Sequence, residues 1–370
     1  MTHRSFLLTP LLILGAALTA QDAAGSSPVA IMEELAAKDF QPSQATGVSP
    51  RTRANLERLK GRLGPWILGR LTALGAGTTP ELGQRLSQDL DAVAAKAPNP
   101  GESFWHPLRF QVETPEPHAE LLAVTARFGI DATLLLFRRG EGGWRLLWQD
   151  RAPVYEDIDA AFGDYTTVMT PKGADGAFFL AAARITPWYQ SWWRGAELRV
   201  FRIGPGGEVK KIGQREETVY LGNDDPMSLS AVDAQHLRFK VRAGSSDPGR
   251  HTFLRTFHFQ PGPGGLRRVP PYAETPLDLV EEWLSLPWKE ALALLDPPLR
   301  SKLKALHARL GDRENSLLTF DEAPNGDAGA GTWTIGAELE RDDQVETISF
   351  RVGSSDEGLR LLEVQSLRKP

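Results

Sequence analysis

Two hydrophobic periods divide this chain. From residue 49 to about residue 101 apolar positions recur every third or fourth residue, and from Phe104 onward they alternate. Ser49-Pro50 supplies an N-cap and a first-turn proline, and Leu56, Leu59 and Leu63 follow at helical spacing. Gly64-Pro65 predicts a break, with a second apolar piece from Trp66 to Leu74. Thr79-Pro80 repeats the start signal, and Leu82, Leu86, Leu90 and Val93 then form one stripe of a helix. Ala97-Pro98-Asn99-Pro100-Gly101 ends this helical segment, 49–101. A flexible leader, 21–48, precedes it, rich in Ala, Ser, Gly, Gln and Pro, with a short helical piece near Val29 to Lys38.

The alternating part contains an internal repeat. Leu108, Phe110 and Val112 alternate with Arg109, Gln111 and Glu113, as in a half-buried strand. Three later segments share a strand with a central phenylalanine (Phe137, Phe201, Phe257) that runs into a glycine-rich turn and a second strand. Their Gly-Gly pairs, ending at Gly143, Gly207 and Gly265, stand 64 and 58 residues apart. Such turns demand positive φ, which glycine adopts without steric cost. Two further strands precede each hairpin, so each unit reads as a four-stranded antiparallel meander, and three units fill 104–272. Meanders at this spacing resemble the blades of a propeller; an open or sandwich-like stack satisfies the same pattern.

Helix returns after Thr275-Pro276, with Leu279, Val280, Trp283 and Leu284, then Lys289 to Leu295 and Leu299 to Leu310. Four more strands follow: Leu317 to Phe320, Thr332 to Leu339, Glu346 to Val352 and Leu359 to Val364. Helices ahead of one curved sheet resemble the cone-shaped folds of the nuclear-transport-factor or cystatin type. We therefore expect a C-terminal α+β domain, 275–370. The fold class expected for the whole chain is mainly β with helical segments, α+β.

Met1 to Ala20 has the order of a secretory signal peptide: Arg4, an apolar run from Phe6 to Leu18, and the small residues Thr19-Ala20. Cleavage near Ala20 would leave a soluble bacterial protein of the periplasm or the exterior, with no stable transmembrane segment. The run is shorter than the roughly twenty residues a spanning helix needs. The chain contains no cysteine, so neither disulfides nor a lipidated cysteine can hold or anchor it. Its net charge of −5 disfavours nucleic acid as a partner. Residues 51–70 run the other way, with Arg51, Arg53, Arg58, Lys60, Arg62 and Arg70 against Glu57. This pattern fits the solvated side of a core helix or a surface for an anionic polymer or lipid headgroup.

Signatures of nucleophilic elbows, zinc helices and phosphate loops are missing from the sequence. Neither a catalytic residue, a metal ligand set nor a cofactor is assigned. Glu156-Asp157-Ile158-Asp159 resembles the calcium loops of FG-GAP-type propeller repeats, but Ala161 and Phe162 stand where a ligand and a glycine belong. The unusual local feature is the loop of the second unit, where Trp188, Tyr189, Trp192 and Trp193 fall within six positions and Arg194 follows. Flat rings stack on sugars and anchor protein interfaces, and the same rings packed inward would instead close a sheet end. The sequence therefore reads as an exported, non-enzymatic binding or interaction protein whose partner is an envelope glycan or protein. Two alternatives stand beside it: a cell-envelope polysaccharide or peptide hydrolase working through paired carboxylates, and a structural accessory subunit of an envelope assembly.

Overall fold

A computed structural model describes residues 28–36, 50–98, 106–129, 131–150, 165–186, 192–222, 226–312, 317–321, 324–327, 331–341 and 344–368. The signal-peptide reading of 1–20, most of the leader and the acidic stretch at Glu156 to Asp159 lie outside these residues. No helix among the described residues is long and apolar enough to cross a membrane.

Three helices come first: α1 (Pro28–Ala36), α2 (Pro50–Ala73) and α3 (Thr79–Ala94). The expected break in α2 does not occur; the helix runs through Pro65. Leu56, Leu59 and Leu63 on one side of the proline and Ile67 and Leu71 on the other are all buried. Their shared burial outweighs the cost of one interior proline, about 3 kcal/mol. Gly64 is needed for closeness: a β-carbon there would lie 2.8 Å from Cδ2 of Leu146 in the sheet beneath. At α3 the cap is Thr78 rather than Thr79, closed by a capping box with Glu81.

The three meanders form as expected. The first sheet pairs β1 (His106–Glu113), β2 (Leu121–Gly129), β3 (Asp131–Gly140) and β4 (Gly143–Gln149) in sequence order. The second pairs β5 (Tyr165–Met169), β6 (Phe178–Thr186), β7 (Trp193–Ile203) and β8 (Val209–Tyr220). The third pairs β9 (Met227–Ala231), β10 (Leu237–Gly244), β11 (Thr252–Gly262) and β12 (Gly265–Val269). The repeat is literal at the level of register: Phe137 lies opposite Leu122, Phe201 opposite Leu180, and Phe257 opposite Phe239. The last glycine of each hairpin, Gly143, Gly207 and Gly265, has φ of 102°, 94° and 112°. One feature differs from expectation: β8 continues past Ile212 to Tyr220, pairing along the whole of β7.

The sheets stack face to face, and the alternation of each strand divides its side chains between two cores. Leu122, Val124, Leu135 and Phe137 of the first sheet pack beneath α2 and α3. Its other face, with Leu121, Ala123, Leu134 and Leu136, meets Leu180, Ala182 and Ile203 of the second sheet. The second sheet then turns Ala181, Ala183, Leu198 and Val200 toward Phe239, Val241, Phe257 and Phe259 of the third. Each central phenylalanine thus faces the preceding layer: helices for Phe137, Trp148 at 4.6 Å between ring centres for Phe201, and the second sheet for Phe257. Among the described residues no core joins the third sheet back to the first, so the stack is open.

A fourth core unites α4 (Pro276–Ser285), α5 (Trp288–Ala291) and α6 (Lys304–Leu310) with a last antiparallel sheet. That sheet is ordered β13 (Leu317–Phe320), β15 (Thr332–Arg341), β16 (Gln344–Ser355), β17 (Gly358–Arg368), and the unexpected short β14 (Asn325–Asp327) also pairs with β15. Trp283 of α4 is fully buried there against Phe350 and His307. The protein is mainly β, with helices at both ends of the chain, an α+β fold.

Candidate functional site

The meander order places all three glycine hairpins at one end of the stack. The β2–β3, β6–β7 and β10–β11 connections and the links between sheets lie at the other. This second end carries the aromatic segment, an open cleft and two networks of buried charge.

Of the five residues singled out in the aromatic loop, Trp188 and Tyr189 lie outside the described residues. Trp192 stands just before β7 and is 65% exposed, the most exposed of the large hydrophobic side chains described. Trp193 opens β7 opposite Tyr220, with ring centres 5.1 Å apart, and Trp192 lies 6.5 Å from the same tyrosine. The carbonyl of Trp192 accepts a hydrogen bond from the Leu221 amide at 2.7 Å, which ties this corner to the end of β8. Gly244, ending β10, lets Trp193 lie close: a β-carbon there would stand 3.2 Å from its ring. Arg194 is half-buried beside them, and that burial lowers its guanidinium from the usual value. Among the described residues, the rings of Trp192, Trp193 and Tyr220 gather at this corner.

Trp193 also lines a cleft of about 850 Å³ between the second sheet, the third sheet and α4. Glu197, Arg215, Glu217, Arg255 and Ser285 share its wall. A chain of ion pairs crosses this wall. Glu217 is held by Arg215 and Arg255, each at 2.6 Å, and Arg255 continues to Glu282 at 2.6 Å and to the Ser285 hydroxyl at 2.5 Å. Arg268 closes the other oxygen of Glu282 at 2.6 Å. The central phenylalanine of the third sheet takes part, since Arg215 and Arg268 lie 5.0 and 4.5 Å from the ring centre of Phe257. Burial works against the charge of Arg255, but Glu282 and Glu217 more than reverse this and raise its value. The network clamps three layers, second sheet, third sheet and α4, around one guanidinium.

The second network lies between the first two sheets. Asp150 takes both terminal nitrogens of Arg199 and the hydroxyl of Tyr165, while Arg184 pairs with Glu197 at 2.9 Å. Burial raises Asp150, yet Arg199 reverses the effect and leaves it lowered; Tyr165 is raised well above its usual value, first by burial. Beside it Lys60 of α2 pairs with Asp131, and burial pushes the Asp131 carboxyl up to about 6 against the pull of Lys60. The sequence did not single out these groups. Lys60 sat in the basic run of α2, but it is 2% exposed. Its place beside Leu59 and Leu63 was the only available signal. Among the described residues no group of three His, Asp or Glu side chains is arranged to hold a metal ion.

Comparison with known proteins adds little. No family model matches the chain, and no curated protein matches its sequence. Among solved structures, a mannose phosphorylase from Leishmania mexicana, in complex with phosphate ion, aligns with 70% of this chain and 69% of its own. The identity is 8% and the TM-score 0.22, which defines neither a shared fold nor a shared activity.

Proposed function

We propose that this protein is an exported, non-enzymatic binding module. Its cleft between the second sheet, the third sheet and α4 takes a polar, ring-bearing ligand such as an envelope glycan. The observation that supports this most is the position of Trp193: its ring lines the cleft while Trp192 and Tyr220 extend an aromatic rim outside it. Apolar ring faces beside a wall of guanidinium, carboxylate and hydroxyl groups are the combination that sugars use, stacking on one side and hydrogen-bonding on the other. The hydrolase reading needs two carboxylates ~5–9.5 Å apart that are at liberty to exchange protons or attack. Glu217, the buried carboxylate of the cleft, already engages two arginines, and this favours binding over chemistry.

The test is retention of the full-length mature protein on purified peptidoglycan and on soluble envelope polysaccharides, read by pull-down and by quenching of tryptophan fluorescence. Trp192→Ala is expected to weaken retention at least fivefold without moving the melting temperature. Release of sugar or peptide fragments by the unaltered protein would instead establish the hydrolase.

A further inference from the structure

The register of the repeat allows a position-by-position comparison of the faces that each sheet turns toward the next layer. Leu121, Ala123 and Thr125 of β2 correspond to Phe179, Ala181 and Ala183 of β6, by their pairing around the central phenylalanines. The same positions in β10 are Arg238, Lys240 and Arg242. Opposite them on β11, His258 and Thr256 stand where the earlier sheets have Arg138 or Arg202 and Leu136 or Val200. Arg267 of β12 lies on this face too, opposite Gln260. The third sheet ends the stack, and its outer face is cationic where the first two are apolar. Arg238 is 40% and Lys240 22% exposed at the side chain.

We infer that this outer face of the third sheet is a docking surface for an extended acidic segment of a partner protein. Charge complementarity carries the choice. Arg238 and Lys240, two residues apart on one strand face, stand about 7 Å apart, the spacing of carboxylates on every second residue of an extended peptide. The chain itself supplies a pattern for the contact: the link after β12 lays Glu274 over the face, its carboxylate 2.6 Å from Lys240 and 3.9 Å from Arg238. Among the described residues, two other acids sit at the margins. Asp233 holds His236 at one end, and Asp278 accepts from the Leu254 amide at the other. His258 on this face is held below its usual value first by burial and then by Arg238; Glu274 opposes this, and Lys240 and Arg268 add to it. The surface is separate from the cleft and does not depend on what the cleft binds.

Fluorescence anisotropy with a labelled peptide of six Glu-Ser repeats tests this on the full-length mature protein. Binding at 50 mM salt that weakens at least tenfold at 500 mM, and at least tenfold with Lys240→Glu, is expected, with a Lys-Ser peptide not bound. Glu274→Gln is expected to tighten binding two- to fivefold, a gain that misfolding cannot produce. Absence of peptide binding, equal binding by Lys240→Glu, or no gain with Glu274→Gln would overturn the proposal. So would capture by phosphatidylglycerol vesicles in place of the peptide, since the face would then serve a membrane surface.

Discussion

The two outer faces of the three-sheet stack are built on the same register and end in opposite ways. On the first sheet the face around Phe137 is apolar, and α2 and α3 seal it with Leu56, Leu59, Leu63, Leu86 and Leu90. On the third sheet the outer face carries Arg238, Lys240 and Arg242, and the link around Glu274 crosses it. A repeat array needs its terminal faces covered or made polar, because each unit's apolar face is otherwise exposed. This chain uses one solution at each end. The helical cover is a matter of core packing, so it should respond to substitution with large losses of stability. The cationic face should lose little stability when altered and much binding.

The sharpest break in that comparison lies at Lys60 and Asp131, an ion pair between α2 and the first sheet that is buried on both sides. Lys60→Met leaves the Asp131 carboxylate under the helix without its cation and is expected to cost about 3–5 kcal/mol at neutral pH, read by denaturant unfolding. Adding Asp131→Asn should recover nearly all of the loss, because a removed pair leaves no stranded charge. The pH dependence follows from the direction of the shift. The folded value of Asp131, about 6, lies above the ordinary 3.8, so the folded state holds the proton more tightly. Its contribution is fully favourable below pH ~4 and is lost as pH rises through 6. The double variant should lack that fall between pH 4 and 6.

Next in size is Leu59→Ala, in the same cover but without charge. It removes a fully buried side chain from the helix–sheet core and is expected to cost about 2–5 kcal/mol. An effect under 1 kcal/mol would mean that α2 is not the seal of that face.

How far sequence reached can be judged from particular residues. All twelve strands of the repeat were legible because alternation and glycine turns are local signals, and so was the equivalence of Phe137, Phe201 and Phe257. The continuity of α2 through Pro65 was not, since a local breaker was overruled by leucines and isoleucine that touch a sheet 60 or more residues away. The extension of β8 to Tyr220 was hidden because Arg215, Glu216 and Glu217 interrupt the apolar alternation. Those same charges form the cleft wall, so the site is assembled from residues that look like surface until the third sheet and α4 are packed on them. Trp192 and Trp193 were visible as a cluster, but Tyr220 and Gly244, which position them, are brought there by pairing and stacking alone.

The hairpin glycines sharpen the likeness of the units. Gly143→Ala meets nothing within 4 Å, so its cost should be conformational, about 1–2 kcal/mol for an L residue at positive φ. Gly207→Ala adds a contact of 2.5 Å with the Arg145 guanidinium, which donates to the Gly206 carbonyl, and should cost more than Gly143→Ala. Equal losses at both sites would mean that the first and second sheets do not touch through this turn.

The smallest expected stability effect is on the cationic face, and its smallness is the point. Arg238 is substantially exposed, and its partner Glu274 lies at 3.9 Å, the limit of an ion pair, and is shared with Lys240. Exposed pairs of this kind contribute about 0–1 kcal/mol, because solvent screens the attraction and two long side chains must be held in place. Arg238→Ala should therefore change unfolding free energy by less than about 0.5 kcal/mol. A loss as large as that of Leu59→Ala would show the third sheet's outer face to be a packed interface within the chain. The two ends of the stack would then be sealed in the same way, and the cations would have to be explained by what they hold in place.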